Sequence, residues 1–86
     1  MERIAVVGLG NWGTALANHL AGKGYDVLGW SIEQPVVEGI NSRHRNPNYL
    51  THIELHQGLK ATLCLEDVLD REVLVLVVPS FALAKT

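Results

Sequence analysis

The sequence predicts an α/β fold built on a parallel sheet, and three observations carry that expectation. Strand-like and helical segments alternate along the chain, the pattern of strands joined by crossover helices. Two runs, Ile4-Ala5-Val6-Val7 and Val73-Leu74-Val75-Leu76-Val77-Val78, are apolar throughout and rich in β-branched residues, as strands covered on both faces are. Between the first run and the first helical segment lies Gly8-Leu9-Gly10-Asn11-Trp12-Gly13, with no spacer on either side.

The elements follow in order. Residues 4–7 are the first strand. Residues 12–23 place Ala15, Leu16, Leu20 and Ala21 at helical spacing, and Gly24 is a stop signal. Residues 26–30 (DVLGW) are the second strand. A helix is predicted over 32–40, with Ser31 as its N-cap and Pro35 confined to the first turn, where a missing N–H loses no helical bond. Residues 41–56 are polar, carry Asn46, Pro47 and Asn48, and read as irregular, with Asn41 and Asn46 as turn formers. Residues 60–63 are a short third strand and 66–69 one or two helical turns. Residues 73–78 are a fourth strand, ended by Pro79. No repeat, linker or low-complexity tract interrupts the series, so 1–86 reads as part of one domain.

Composition narrows the function. The chain has 86 residues, 48% hydrophobic and 19% charged, which suits a single modest core. A net charge of −2 provides no basic field for nucleic acid or an anionic membrane. The longest apolar run, 73–79, is far short of the roughly 20 residues of a membrane span. Glycines interrupt the apolar start, so it does not read as a signal peptide. One cysteine, Cys64, excludes an internal disulfide and fits a reducing compartment, which makes the cytoplasm the expected location. Cys64 itself reads as a small core hydrophobe. His52, Glu54 and His56 have no third ligand and no helix to align them, so no metal site is expected. Arg43-His44-Arg45 reads as a solvated loop.

The glycine segment carries the chemistry. A pyrophosphate needs several hydrogen-bond donors close together, and the first turn of a helix offers unpaired N–H groups at the positive end of its dipole. Side chains must be absent for the backbone to come that close. Gly8 permits the tight turn, Gly10 lets phosphates approach, and Gly13 lets the helix pack on the strand. G-x-G-x-x-G alone is a weak signal; here it follows a strand, opens a helix and sits in a βαβ unit. The segment therefore predicts dinucleotide binding. At the tip of the second strand, where an acid commonly holds the adenosine ribose of NAD, stands Ser31, and Glu33 two residues on reaches a ribose hydroxyl if the turn folds back. Ser31 serves either as a cofactor contact or only as a helix cap. No Arg or Lys is nearby to meet the extra phosphate of NADP, so NAD is favoured while NADP stays open. Trp12 either covers the pyrophosphate or plugs the gap between helix and loop. Tyr49 either flanks the cofactor or is an exposed loop residue. Pro79 and Ser80 follow the last strand at the carboxyl edge, where their backbone is expected near the nicotinamide-side ribose. Ser80 has no neighbouring base and no G-x-S-x-G elbow, so it is not read as a nucleophile.

Three runs in order, Gly8-Leu-Gly-Asn-Trp-Gly-Thr-Ala-Leu-Ala17, Asn41 followed by Asn46-Pro-Asn-Tyr-Leu50, and Val77-Val-Pro-Ser80, resemble the N-terminal domain of NAD(P)-dependent glycerol-3-phosphate dehydrogenase. The resemblance spans essentially all 86 residues. It implies a half Rossmann unit, a parallel sheet of about four strands in spatial order 3-2-1-4 with helices on both faces. It also implies interconversion of glycerol 3-phosphate and dihydroxyacetone phosphate, with Asn11 and Trp12 among the dinucleotide contacts and Ser31 facing the adenosine ribose. The family pattern continues Tyr-Leu-Pro-Gly, where this chain has Tyr49-Leu50-Thr51-His52. The family's catalytic lysine and helical substrate domain lie beyond Thr86, so no catalytic residue is assigned. Two other readings are a non-catalytic dinucleotide-binding module and the cofactor domain of another dehydrogenase, such as one acting on 3-hydroxy acids. With no fifth strand to pair it, the strand at 73–78 is expected to self-associate.

Overall fold

The computed structural model describes residues 2–77. The elements are β1 (Arg3–Val7), α1 (Asn11–Gly22), β2 (Asp26–Trp30), α2 (Gln34–Arg43), β3 (Lys60–Thr62), a 3₁₀ turn (Leu65–Asp67) and β4 (Val73–Leu76). The four strands are parallel and lie in the order β3-β2-β1-β4. β1 is central, with Ile4 opposite Val27 on one side and Val73 on the other.

Side chains alternate across a strand, so Ile4, Val6, Val27 and Ala61 share one face. These four join Ala17, Ala21, Val36, Val37, Ile40, Leu55 and Leu59 in one buried core. Right-handed crossovers from β1 to β2 to β3 advance in a single direction and deposit α1 and α2 on that same face. The connection from β3 reverses direction to reach β4 and therefore passes across the other face. Val68 on this connection and Ala5 on β1 are both fully buried. Among the described residues no α-helix lies on this connection, and Leu74, which pairs with Ala5 on the second face, is exposed, where the sequence suggests helices on both faces.

Local differences from the sequence reading have clear causes. The buried face of α1 is Gly13, Thr14, Ala17 and Ala21, while Ala15 is exposed and Leu16 half-buried. Small residues every fourth position let the helix lie close to the sheet, a seam that a search for apolar periodicity does not register. α2 begins after Glu33, which takes the N-cap position, and runs to Arg43; Ser31 lies two residues before that N-cap. Asn41 is not a turn former. It lies in the last turn of α2, where its amide donates to the Ala61 carbonyl at 2.9 Å and accepts from the Ala61 N–H at 2.9 Å. It thus pairs the outer edge of β3 as a neighbouring strand would. Cys64 is exposed rather than buried, because the chain turns into the 3₁₀ segment there. Leu50 adopts the left-handed conformation (φ 54°), and Ile53 N–H closes a turn onto its carbonyl at 3.1 Å, which sets the loop where Thr51 and His52 stand.

β4 pairs with β1 alone among the described residues. Leu76 is 72% exposed and Leu74 is exposed beside it. Val78, the expected last residue of this strand, lies outside the described residues.

Candidate functional site

Three strands end at one level. Val7 lies opposite Trp30 and Leu76. Beyond that line Gly8 N–H donates to the Trp30 carbonyl at 3.0 Å, Val77 N–H to the Val7 carbonyl at 2.9 Å, and Ser31 N–H to the Thr62 carbonyl at 3.2 Å. The glycine turn, Ser31 and Val77 therefore stand together at the carboxyl edge of the sheet, where open α/β folds leave a crevice for ligands.

Two of the three glycines are required by the fold itself, each for a different reason. Gly8 has φ +108°, a conformation that side chains disfavour, and a Cβ there would meet the Val77 carbonyl oxygen. A Cβ on Gly13 would meet the Gly8 carbonyl oxygen, so α1 can start where it does only because that atom is missing. At Gly10 a Cβ would meet nothing within 4 Å. Among the described residues nothing demands glycine at this third position, and the open space lies directly before α1. Gly10 is the N-cap of α1, no side chain caps the helix, and its first turn holds no acid. Its leading N–H groups are therefore free to meet an anion. Asn11 is exposed, and Trp12 is 80% exposed, so the indole does not plug the gap between helix and loop.

A segment far along the chain braces this turn. Asn46 is fully buried, and its Nδ2 donates to the Leu9 carbonyl at 3.2 Å and to Thr14 Oγ1 at 2.9 Å. Thr14 Oγ1 itself donates to the same Leu9 carbonyl at 3.0 Å. Asn46 Oδ1 accepts the N–H groups of Asn48 and Tyr49, each at 3.0 Å. Both ends of one amide are thus used, one on the glycine turn and one on its own loop. The turn-former reading of Asn46 holds, and the tie to Leu9 and Thr14 is the part it omits.

The loop then reaches the tip of β2. Asn48 Nδ2 donates to Glu33 Oε1 at 2.9 Å, and the Tyr49 hydroxyl donates to Glu33 Oε2 at 3.0 Å. The hydrogen bond to Glu33 raises the pKa of Tyr49 above that of an ordinary tyrosine, the negative charge of Glu33 adds to the shift, and slight desolvation contributes last. Tyr49 is half-buried rather than an exposed loop residue. Ser31 is buried, and its hydroxyl oxygen accepts the Glu33 N–H at 3.0 Å. The side chain that projects at this tip is therefore Glu33, with Ser31 fixing its backbone. Thr14 and Asn48 are residues of this site to which the sequence reading gives no role, and for Asn46 it gives only the turn, because their partners lie 15 to 37 positions away.

Pro79 and Ser80 lie outside the described residues. His52, Glu54 and His56 join no group of three or more potential metal ligands among the described residues. An open groove of about 560 Å³, lined by Asn18, Gly22, Glu54, Leu55, His56 and Gln57, lies at the far end of α1, away from the glycine turn.

This arrangement has clear counterparts among known proteins. The chain is 50% identical over 78 residues to glycerol-3-phosphate dehydrogenase [NAD(P)+] of Nitratidesulfovibrio vulgaris, covering 90% of this chain and 24% of that protein. It superposes on the crystal structure of glycerol-3-phosphate dehydrogenase from Coxiella burnetii with a TM-score of 0.80 and 40% identity, over 98% of this chain and 26% of that one. The Saccharomyces cerevisiae enzyme gives a TM-score of 0.84 at 35% identity, over 98% and 28%. The chain thus spans about a quarter of the length of the curated relatives it matches. The model of one family covers residues 3–86, and with these likenesses it shows that the chain belongs to the family described as NAD-dependent glycerol-3-phosphate dehydrogenase N-terminus.

Proposed function

We propose that this chain is the dinucleotide-binding portion of a glycerol-3-phosphate dehydrogenase, holding NAD or NADP in a protein that interconverts sn-glycerol 3-phosphate and dihydroxyacetone phosphate. The observation that carries the reading is the open backbone at Gly10, at an uncapped helix N-terminus on the carboxyl edge of the sheet. The residues fit the group. Gly8, Gly10 and Gly13, with the N–H groups of Asn11 and Trp12, would hold the pyrophosphate. Ser31 and Glu33 stand on the adenosine-ribose side, Tyr49 braces Glu33, and Pro79 and Ser80 are assigned to the nicotinamide side. Bound nicotinamide supplies or accepts the hydride, while the protein contributes position and electrostatics. No residue of this chain is assigned the acid–base step, and the family's helical substrate domain is the proposed partner for that chemistry. The lone cysteine supports a cytoplasmic location, and no helix among the described residues is long and apolar enough to cross a membrane.

Calorimetric titration of the purified chain with NADH should show saturable binding. The same chain mixed with glycerol 3-phosphate and NAD+ should show no turnover, because a positioned general acid–base and walls that exclude water are needed. A folded chain that takes up no dinucleotide would overturn the binding assignment. Turnover above a blank would overturn the placement of the chemistry elsewhere.

We further propose that the chain self-associates through β4. The strand exposes Leu74 and Leu76, carries neither charge nor proline within its span and has no partner on its outer edge among the described residues, so the N–H and C=O groups of that edge can template a second strand. Light scattering over a concentration series should show the mass rising, and Leu76→Lys should suppress the rise. A clean monomer throughout the series would defeat the proposal.

A further inference from the structure

Glu33 is held at every bond that fixes its direction. Its N–H donates to Ser31 Oγ, and its carbonyl accepts the N–H groups of Val36 and Val37 at 3.1 and 3.3 Å. Its two carboxylate oxygens take one donor each, from Asn48 and Tyr49. Both donors are neutral. The ion pairs among the described residues, Arg3 with Glu72 and Arg71 with Asp26, involve neither Glu33 nor its neighbours. No cation among the described residues pairs with the carboxylate, and each oxygen retains a lone pair for another donor. A glutamate left free at a helix start would sample many rotamers and would turn away from an approaching anion at small cost. A glutamate pinned at both oxygens cannot.

We propose that Tyr49 and Asn48 are positioning residues that hold the Glu33 carboxylate as a fixed anion at the tip of β2, so that the site takes a dinucleotide with a free adenosine ribose diol and rejects one carrying a ribose phosphate. The inference rests on the dinucleotide reading above and deepens it. The diol offers two O–H donors to the free lone pairs of the carboxylate, whereas a phosphate in the same place offers only acceptors and like charge. Specificity then comes from the repulsive element as much as from the attractive one. The aromatic ring of Tyr49 packs against the core, while its hydroxyl alone reaches Glu33, so the two roles are separable by one atom.

The test measures Kd for NAD+ and for NADP+ by calorimetry in the purified chain and in Tyr49→Phe, Asn48→Ala, the double variant and Glu33→Gln. The parent should prefer NAD+, and Glu33→Gln should shrink that preference about tenfold. Tyr49→Phe and Asn48→Ala should each shrink it about threefold, as partly exposed electrostatic contacts do, and the double variant should approach Glu33→Gln. A merely structural role would weaken both dinucleotides alike and leave the ratio unmoved. An independent readout needs no ligand: absorbance titration of the phenol, with Tyr49→Phe as the reference that removes it. Tyr49 should ionise above ordinary tyrosine and return toward it in Glu33→Gln. A double variant whose ratio stays at the parental value overturns the proposal, even if Glu33→Gln shifts it. A parent that holds NAD+ with a ratio unmoved by all four variants overturns this inference alone. A parent that holds neither dinucleotide overturns both this inference and the function proposed above.

Discussion

Asn46→Ala should lower the stability of the chain by about 3 kcal/mol, a loss set by buried polar groups left without partners rather than by lost apolar area. The Asn46 amide is fully buried and uses both of its ends. Its removal leaves the Asn48 and Tyr49 N–H groups without an acceptor and withdraws donors from Thr14 Oγ1 and the Leu9 carbonyl. Thr14 still reaches Leu9, so the glycine turn is loosened rather than dissolved. Asn46→Asp separates hydrogen bonding from volume. It fills the same space and keeps both acceptor bonds, yet it turns an anion toward the Leu9 carbonyl oxygen. It should therefore destabilise at least as much as alanine at neutral pH. Urea denaturation of the three proteins gives the comparison directly. A loss below about 1 kcal/mol in Asn46→Ala would mean that water replaces the amide, and that the brace contributes little.

Gly10→Val should weaken NADH binding at least about thirty-fold, roughly 2 kcal/mol, while leaving the unfolding midpoint close to that of the parent. A Cβ at Gly10 meets no described atom within 4 Å and its φ of −78° is not left-handed, so a valine there is expected to collide chiefly with what approaches α1 from outside. Gly13→Ala, one turn away in sequence pattern, should do the opposite. Its Cβ would strike the Gly8 carbonyl oxygen, a backbone atom of the turn itself, and the carbonyl carbon would sit 2.8 Å away. Relief requires α1 to lift from β1, so a loss of about 3 kcal/mol or more in stability is expected. Calorimetry and thermal unfolding on the same two variants read the contrast. Equal NADH affinities in parent and Gly10→Val would remove the phosphates from the glycine turn.

Local order was legible in the residues. The β1 run, the glycine turn, α1, β2 and the short β3 lie where periodicity and turn chemistry put them, because each is specified within a few neighbouring residues. The strand order 3-2-1-4, which the family resemblance implies, is the order observed. The roles of Gly8 and Gly13 were readable for the same reason: their demands arise within a single strand–turn–helix unit. Side-chain roles that depend on a distant partner were not readable.

Asn41, Asn46 and Ser31 show where that boundary falls. All three are residue types that cap or turn a chain locally, and Ser31 and Asn46 do make such local bonds. Nothing in the residues beside Asn41 indicates that Ala61 will come alongside it, or beside Asn46 that Leu9 and Thr14 will. Cys64 fails in the other direction, and of the two readings of Trp12 the packed one falls. Their exposure is decided by which surfaces the rest of the chain covers. The sequence by itself determined the α/β class and the glycine turn between the first strand and the first helix, because these rest on hydrophobic period, backbone sterics and turn chemistry, while the strand order came with the family resemblance. Only the tertiary structure decided that residues 46–49 brace that turn and clamp Glu33, because a hydrogen bond between residues 15 to 37 positions apart exists only once packing has closed the loop between them.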